Sequence, residues 1–290
     1  MKLPPFAYAC PTSLPEAVQL LASRDAKAIA GGQSLVPMLA FRLAQPELLV
    51  DLRKLADLRG IRITERGVTL GAMVRWREIL DDARLATAHP LLKAAVAHVA
   101  HYQIRNRGTV GGSLAHADPS AELPLVAQIL EARLVLHTKS AKRTLPAAEF
   151  FAGPMMTNLQ PDECLEEIHW PVWREQKTGS AFTEISRRHG DFAMVAATAQ
   201  IAVDDDGQCT RVTFGVGGAA PVPLAFPALA QNLVGRRLDK AKARAVAQEA
   251  AAALEPDTDT HASAAYRRHL AGVLVSRVLL EAYDTARSAP

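Results

Sequence analysis

Twice along the chain an apolar approach ends in a glycine pair and then a hydroxyl residue: Ala30-Gly31-Gly32-Gln33-Ser34-Leu35 and Thr109-Val110-Gly111-Gly112-Ser113-Leu114. Without a Cβ, such a bend lets backbone N–H groups point outward and lets a bulky anion approach the main chain. Loops of this kind suit a phosphate. One hydrogen bond to a charged group contributes roughly 1.5–3 kcal/mol, whereas micromolar to nanomolar binding takes about 8–12 kcal/mol. A single glycine pair is therefore most often just a turn, but two pairs converging on one diphosphate, with a ring buried beside them, reach the required range. Neither motif fits Gly-x-x-x-x-Gly-Lys-Ser/Thr or Gly-x-Gly-x-x-Gly, so ordinary NTP hydrolysis and ordinary NAD binding lose support.

Behind the second pair comes His116-Ala117-Asp118-Pro119-Ser120-Ala121-Glu122. Two readings stand side by side. Asp118-Pro119 can start a helix with Glu122 as a carboxylate favoured by the helix dipole, or these carboxylates can accept hydrogen bonds from sugar or ribityl hydroxyls. His116 has no cysteine or histidine at ligand spacing and reads as a hydrogen-bonded structural histidine rather than a metal ligand or base. Arg105 and Arg107, and Arg187-Arg188 further on, suit phosphate and carboxylate partners equally well. No serine–histidine–acid pattern, glycosidase-type carboxylate pair or HExxH motif is present. The chain reads as one that holds a cofactor rather than one that supplies acid–base catalysis.

Around these motifs the first half mixes strands with short helices. Strands are expected at Lys27 to Ala30 and Leu48 to Leu52, and a hairpin joins Ile61 and Ile63 to Val68 and Leu70 through Glu65-Arg66-Gly67. Helices are expected at Trp76 to Asp82, Pro90 to Tyr102 and Leu123 to Leu130, and strands at Arg133 to Thr138 and Glu163 to Val172. Past a polar stretch at Trp173 to Gly179 the pattern changes to a run of strands: Ala181 to Arg188, Met194 to Val203, then Val212, Phe214 and Val216 in alternation. The helices Lys240 to Ala253 and Ala264 to Ala286 close the chain. In the last of these, Tyr266, Leu270, Val273, Leu274 and Val278 form one apolar stripe, with Arg267, Arg268 and Arg277 away from it. Strands followed by helices imply an α+β arrangement.

The 290 residues suit two domains, and 49% hydrophobic with 22% charged residues is the balance of a globular chain. A formal charge of +3 with scattered basic residues implies no nucleic-acid partner. No stretch of about 18 apolar residues escapes interruption by a charge, and two prolines break the N-terminus where a leader needs an apolar run, so a cytoplasmic location without a membrane span is expected. Three cysteines (Cys10, Cys164, Cys209) are too few for a four-thiolate cluster, so any iron–sulfur centre belongs to a partner chain.

Three segments carry a family likeness: Ala30 to Leu35; Gln103-Ile-Arg-Asn-Arg-Gly-Thr-Val-Gly-Gly-Ser-Leu-Ala-His-Ala-Asp-Pro; and Ser186-Arg-Arg-His-Gly-Asp-Phe-Ala. In their order and spacing, and with Tyr266-Arg-Arg-His-Leu in the closing helix, the chain resembles the FAD-binding medium subunit of molybdenum hydroxylases. Aerobic carbon monoxide dehydrogenase and xanthine dehydrogenase belong to that group. The resemblance implies an FAD-binding domain of the PCMH type over residues 1–175, made of two α/β subdomains split near 54–60. A C-terminal domain of antiparallel strands and helices over 176–290 would follow.

The same resemblance implies that Ala30, Gly31, Gly32, Gln33, Ser34 and Leu35, with Thr109, Gly111, Gly112, Ser113 and Leu114, contact the FAD diphosphate. It places His116, Asp118 and Glu122 along the ribityl and sugar portion, and Leu159 near the adenine or flavin. Ser113 stands where many relatives carry asparagine, Glu122 where aspartate is common, and Thr183 where some have lysine. The implied activity is electron relay from a large molybdenum-cofactor subunit, through a small iron–sulfur subunit, to FAD on this chain and then to an external acceptor. A self-sufficient flavin oxidoreductase and a non-redox nucleotide-binding scaffold are the competing readings.

Overall fold

Parallel strands need a crossover, and the N-terminal segment supplies one at each step. Strands β1 (Ala7–Ala9), β2 (Ala26–Ile29) and β3 (Leu48–Asp51) form a parallel sheet in the order β1-β3-β2, with α1 (Leu14–Leu21) and α2 (Leu35–Ala40) as connections. The structure, a computed structural model, describes residues 2–23 and 25–289. β1 and α1 have no counterpart among the sequence-based expectations, although the signal was there. Ser13 caps α1 by accepting from the Glu16 amide, the Glu16 carboxylate returns to the Thr12 amide, and Leu14, Ala17, Val18 and Leu21 bury one face.

Two short 3₁₀ turns over 52–59 lead to a second, antiparallel sheet. Its order is β4-β5-β10-β6-β7, from β4 (Ile61–Thr64), β5 (Gly67–Gly71), β6 (Arg133–His137), β7 (Lys142–Pro146) and β10 (Cys164–Pro171). The β4–β5 hairpin turns at Glu65-Arg66 as its alternating apolar residues require. Between β5 and β6 run α3 (Trp76–Asp81), α4 (Arg84–Ala88), α5 (Pro90–His98), α6 (Tyr102–Arg105), α7 (Val110–His116) and α8 (Glu122–Ile129). The small α9 (Ala147–Phe150), β8 (Phe151–Gly153) and β9 (Met156–Thr157) precede β10.

The helix expected over Pro90 to Tyr102 ends early, and a separate short α6 begins at Tyr102. α5 stops at His98, Ala100 takes φ +43°, and the Arg105 guanidinium accepts the role of cap, donating to the Val99 and Ala100 carbonyls at 2.9 and 2.8 Å. Arg105 Nη1 is thereby engaged by the backbone. The helix start expected at Asp118-Pro119 is also displaced: Asp118 forms a side-chain turn by accepting from the Ser120 amide, and α8 begins at Glu122.

The third sheet, β11-β12-β13-β14, is antiparallel: β11 (Thr178–Ile185), β12 (Val195–Val203), β13 (Cys209–Gly217) and β14 (Leu224–Ala225). Helices α10 (Pro227–Gln231), α11 (Lys240–Ala252) and α12 (Ala264–Ser288) follow. Every residue of β12 is buried, because α12 covers the sheet and α8 also packs on β12 and β13. Small side chains make this possible: four of its nine residues are alanine, and its buried Thr198 hydroxyl donates to the Ala181 carbonyl at 2.8 Å. The stripe expected on α12 needs correction. Leu270, Leu274 and Val278 are buried, but Tyr266 and Val273 are 46% and 41% exposed, while Arg267 is buried at 7%. A guanidinium that satisfies backbone carbonyls can occupy a core position that periodicity alone assigns to an apolar residue.

α12 lies on β11 with backbone against backbone at Gly179, where any Cβ would overlap the Ala282 carbonyl and the Ala286 amide. Gly179→Val is expected to cost about 1–3 kcal/mol or more by overpacking. Urea denaturation of the purified variant checks this.

Candidate functional site

The two glycine motifs meet. Gly31 lies so close to the Arg107 carbonyl that a Cβ there would overlap it, and the Cβ position of Gly112 lies 3.6 Å from the Ala30 methyl. The second motif is held in turn by the segment that follows β5: the Val110 and Gly111 amides donate to the Val74 and Ala72 carbonyls, each at 2.9 Å. Gly111 faces Ala72 with no room for a side chain, and Gly108 does the same against the Trp76 indole. Between the motifs opens a cavity of about 360 Å³, within the ~300–1,000 Å³ range of small-molecule sites.

The motifs do different things. At the first, Gly32 takes φ +73°, open to glycine and strained for other residues, and the chain then bends into α2. The amides of Gly32, Gln33, Ser34 and Leu35 donate to no acceptor among the described residues. At the second, the expected strand-like approach is instead the capped start of α7. Thr109 is the N-cap, its hydroxyl accepting from the Gly112 amide at 3.1 Å and its carbonyl from the Ser113 amide at 3.1 Å. The first motif thus offers donors, and the second offers a floor without side chains plus the Ser113 hydroxyl.

Every sequence-predicted residue lines this cavity except Leu114. Ala30 to Leu35, Thr109, Gly111, Gly112, Ser113, His116, Asp118, Glu122 and Leu159 are all on its wall. Leu114 is fully buried in the core beneath β5, because the helical turn of α7 points it away from Ser113. Several lining residues escaped sequence reasoning. Lys27, on β2 three residues before the first motif, is a lysine on the wall and forms no ion pair among the described residues. Ile104 and Val99 add apolar surface, as does Phe192, which is 61% exposed. Gly190, Asp191 and Phe192 come from the loop between β11 and β12, whose Gly190 rests on the His101 imidazole. The Ser186-Arg-Arg-His-Gly-Asp-Phe segment carried that signal, but its place in the fold was not readable from local pattern.

Two carboxylates on the wall have opposite electrostatics. Glu163 is buried, which opposes its charge, yet Arg143 grips it with two bonds (2.5 and 2.8 Å) and the Gln160 amide adds a third at 2.8 Å. These hold its carboxyl below the usual carboxylate range and fix the turn that carries Leu159. Glu122 forms no ion pair among the described residues. Burial first, then the neighbouring Glu184 and Asp118, push its carboxyl up to about 8. Glu184 is itself buried, with one oxygen lacking a partner among the described residues and the other 3.6 Å from His98 Nδ1. His116, half-buried, is lowered by burial, with Lys27 adding to the shift and Asp118 opposing it.

A folded-state pKa raised above the unfolded value means that, between pH of about 4.5 and 8, the folded chain holds a proton the unfolded chain has released. Stability therefore falls across that window. Glu122→Gln is expected to remove this contribution, so that the variant's advantage over wild type grows from pH 5 to pH 8 and reaches ~2–4 kcal/mol. Parallel urea titrations at the two pH values measure it.

Two family models match the chain: the FAD binding domain in molybdopterin dehydrogenase over residues 4–173, and the CO dehydrogenase flavoprotein C-terminal domain over residues 180–282. The chain is 37% identical over 289 residues to the 6-hydroxypseudooxynicotine dehydrogenase complex subunit alpha of Paenarthrobacter nicotinovorans, covering 99% of this chain and 97% of that one. It is 36% identical to the carbon monoxide dehydrogenase medium chain of Hydrogenophaga pseudoflava, covering 97% and 98% of the two chains. Among solved structures, quinoline 2-oxidoreductase from Pseudomonas putida 86 superposes with a TM-score of 0.94 at 38% identity, covering 99% of this chain and all of the other. The apposed glycine motifs and the end-to-end match agree: the chain belongs to the FAD-binding family of the molybdopterin dehydrogenases and is a flavoprotein oxidoreductase chain of the carbon monoxide dehydrogenase medium-chain type.

Proposed function

We propose that the cleft between the two glycine motifs seats FAD and that the chain works as the electron-relay subunit of a heteromeric molybdenum hydroxylase. The observation that carries this is the run of four acceptor-less amides, Gly32 to Leu35, facing a glycine floor inside one cavity. Those amides, with the Lys27 ammonium on the same wall, suit a diphosphate. Gly31 lets the first motif close onto the Arg107 carbonyl, and Gly112 adds no side chain to the cavity wall. Ile104, Val99, Leu159 and Phe192 offer apolar surface to aromatic rings. Asp118 and Ser113 offer polar groups to sugar or ribityl hydroxyls, and Glu122, protonated at neutral pH, can donate as well as accept there. Bound FAD supplies a centre that takes up electrons and passes them to an acceptor; the chain's own task is to bind, orient and shield it.

The relatives' names bear on assembly: a complex subunit alpha, a nicotine 6-hydroxylase medium subunit and a carbon monoxide dehydrogenase medium chain are each one chain among several. By that analogy this chain pairs with a large molybdenum-cofactor subunit and a small iron–sulfur subunit. Its three cysteines sit on separate segments, two of them buried, so cluster thiolates come from elsewhere. No helix among the described residues is long and apolar enough to cross a membrane.

The purified chain is expected to be yellow and to release FAD on denaturation. A folded, colourless protein that fails to take up added FAD contradicts the proposal. Gly112→Leu, whose Cβ presses on the Thr109 hydroxyl at 2.8 Å and comes to 3.6 Å from the Ala30 methyl, is expected to shift that one cap locally and to cut flavin content at least tenfold while far-UV circular dichroism stays that of the wild type. Full flavin content in that variant would show the second motif to be only a turn. Turnover by the isolated chain with a reductant of its own would favour the self-sufficient reading instead.

A further inference from the structure

We infer that Arg267, on α12 in the C-terminal part of the chain, is a positioning residue for the cofactor cleft; this rests on the cleft being the FAD site. Its guanidinium joins two backbone segments that reach the cavity wall from different directions. Nη1 donates to the Met194 carbonyl at 2.6 Å and to the Gly218 carbonyl at 2.9 Å, while Nη2 donates to Asp259 Oδ2 at 2.6 Å. The side chain is 8% exposed.

Each carbonyl is one step from the wall. Met194 closes the β11–β12 loop, its amide donating to the Ile185 carbonyl at 2.8 Å, and that loop carries Gly190, Asp191 and Phe192. Gly218 donates its own amide to the Pro119 carbonyl at 2.8 Å, and Pro119 lies between Asp118 and Glu122. Gly218 takes φ +75°, and a Cβ there would sit 2.9 Å from the Met194 carbonyl oxygen, so the two segments are in van der Waals contact. Two carbonyl oxygens that both accept from one nitrogen, at 2.6 and 2.9 Å, lie close enough to repel unless a donor stands between them. The planar guanidinium has enough donors to serve both and still pair with Asp259. A lysine ammonium is a more compact point charge and cannot reproduce that fork. Asp259 is anchored in its turn by the His261 and Ala262 amides, at 2.8 and 2.9 Å, just before the cap of α12. One side chain therefore sets the distance between the Phe192 loop and the Asp118 to Glu122 turn.

The test uses the full chain with Arg267→Met and Arg267→Lys, and Leu274→Ala as a control that removes buried volume from the same helix without touching either segment. Hydrogen exchange of the flavin-free proteins comes first. Arg267→Met is expected to lose protection together at 186–194 and 118–122 and to keep it at 26–35. FAD titration comes second: Arg267→Met is expected to bind at least tenfold more weakly with altered visible circular dichroism of the bound flavin. Arg267→Lys is expected to fold and fall between it and wild type, and Leu274→Ala to melt lower but bind as wild type. Unchanged exchange at both segments, or wild-type affinity and flavin spectrum in Arg267→Met, overturns the positioning role alone. Equal loss of FAD affinity in Leu274→Ala overturns it as well, by reducing Arg267 to a general stabiliser. Should Arg267→Met not fold, Arg267→Lys carries the same comparisons, and wild-type exchange and affinity there overturn the role. A wild-type chain that takes up no FAD overturns both this inference and the reading beneath it.

Discussion

The site exists because main chain touches main chain. Gly31 lies on the Arg107 carbonyl and Gly111 on the Ala72 backbone, while Gly108 seats the Trp76 indole beside them. Each contact excludes a Cβ, and together they fix the parallel sheet against the antiparallel one at a separation that leaves a channel. Side-chain packing alone gives no such spacing, since helices and sheets bearing ordinary residues stand about 10 Å apart. Only where glycine brings backbones into contact can the acceptor-less amides of the first motif share one narrow cavity with the glycine pair of the second.

That geometry explains which features were legible in the sequence. The glycine pairs were visible because missing side chains leave a literal mark, and their apposition matched what the pairing required. Their division of labour was hidden. Gly-Gly-Gln-Ser and Gly-Gly-Ser-Leu look alike in one dimension, but the second follows Thr109, whose hydroxyl and carbonyl absorb the Gly112 and Ser113 amides. Leu114 falls off the cavity wall for the same reason, because a helix turns by about 100° per residue and a loop does not. In the C-terminal part β12, β13, α11 and α12 followed from alternation and periodicity with small end errors, β11 lies three residues earlier than expected, and the short β14 and α10 were not anticipated. The break at Ala100 was unreadable, since it is set by Arg105 folding back from several residues downstream.

Charged residues were the hardest to place. Arg267 read as solvent-facing on its helix and is instead inside, because the need of two carbonyls for a donor outweighs its polarity. Glu122 and Glu163 are the same residue type on the same wall with opposite protonation behaviour. The difference lies in Arg143, twenty residues from Glu163 in sequence and absent from Glu122's surroundings. Neighbours of this kind, far along the chain and near in space, decide whether a buried carboxyl keeps its proton, and no local pattern encodes them.

The central strand of the second sheet is its last. β10 lies between β5 and β6, so Leu70 finds its partner Ile168 only when nearly a hundred further residues have been added. On a ribosome extending by about 5–20 residues per second, the first glycine bend emerges well before the floor it must face, and the Arg267 fastening later still. Nascent polypeptide thus passes through a long interval with a half-built pocket, its apolar walls open to solvent. The cleft is therefore complete only when β10 and then Arg267 have been added, late in the synthesis of the chain.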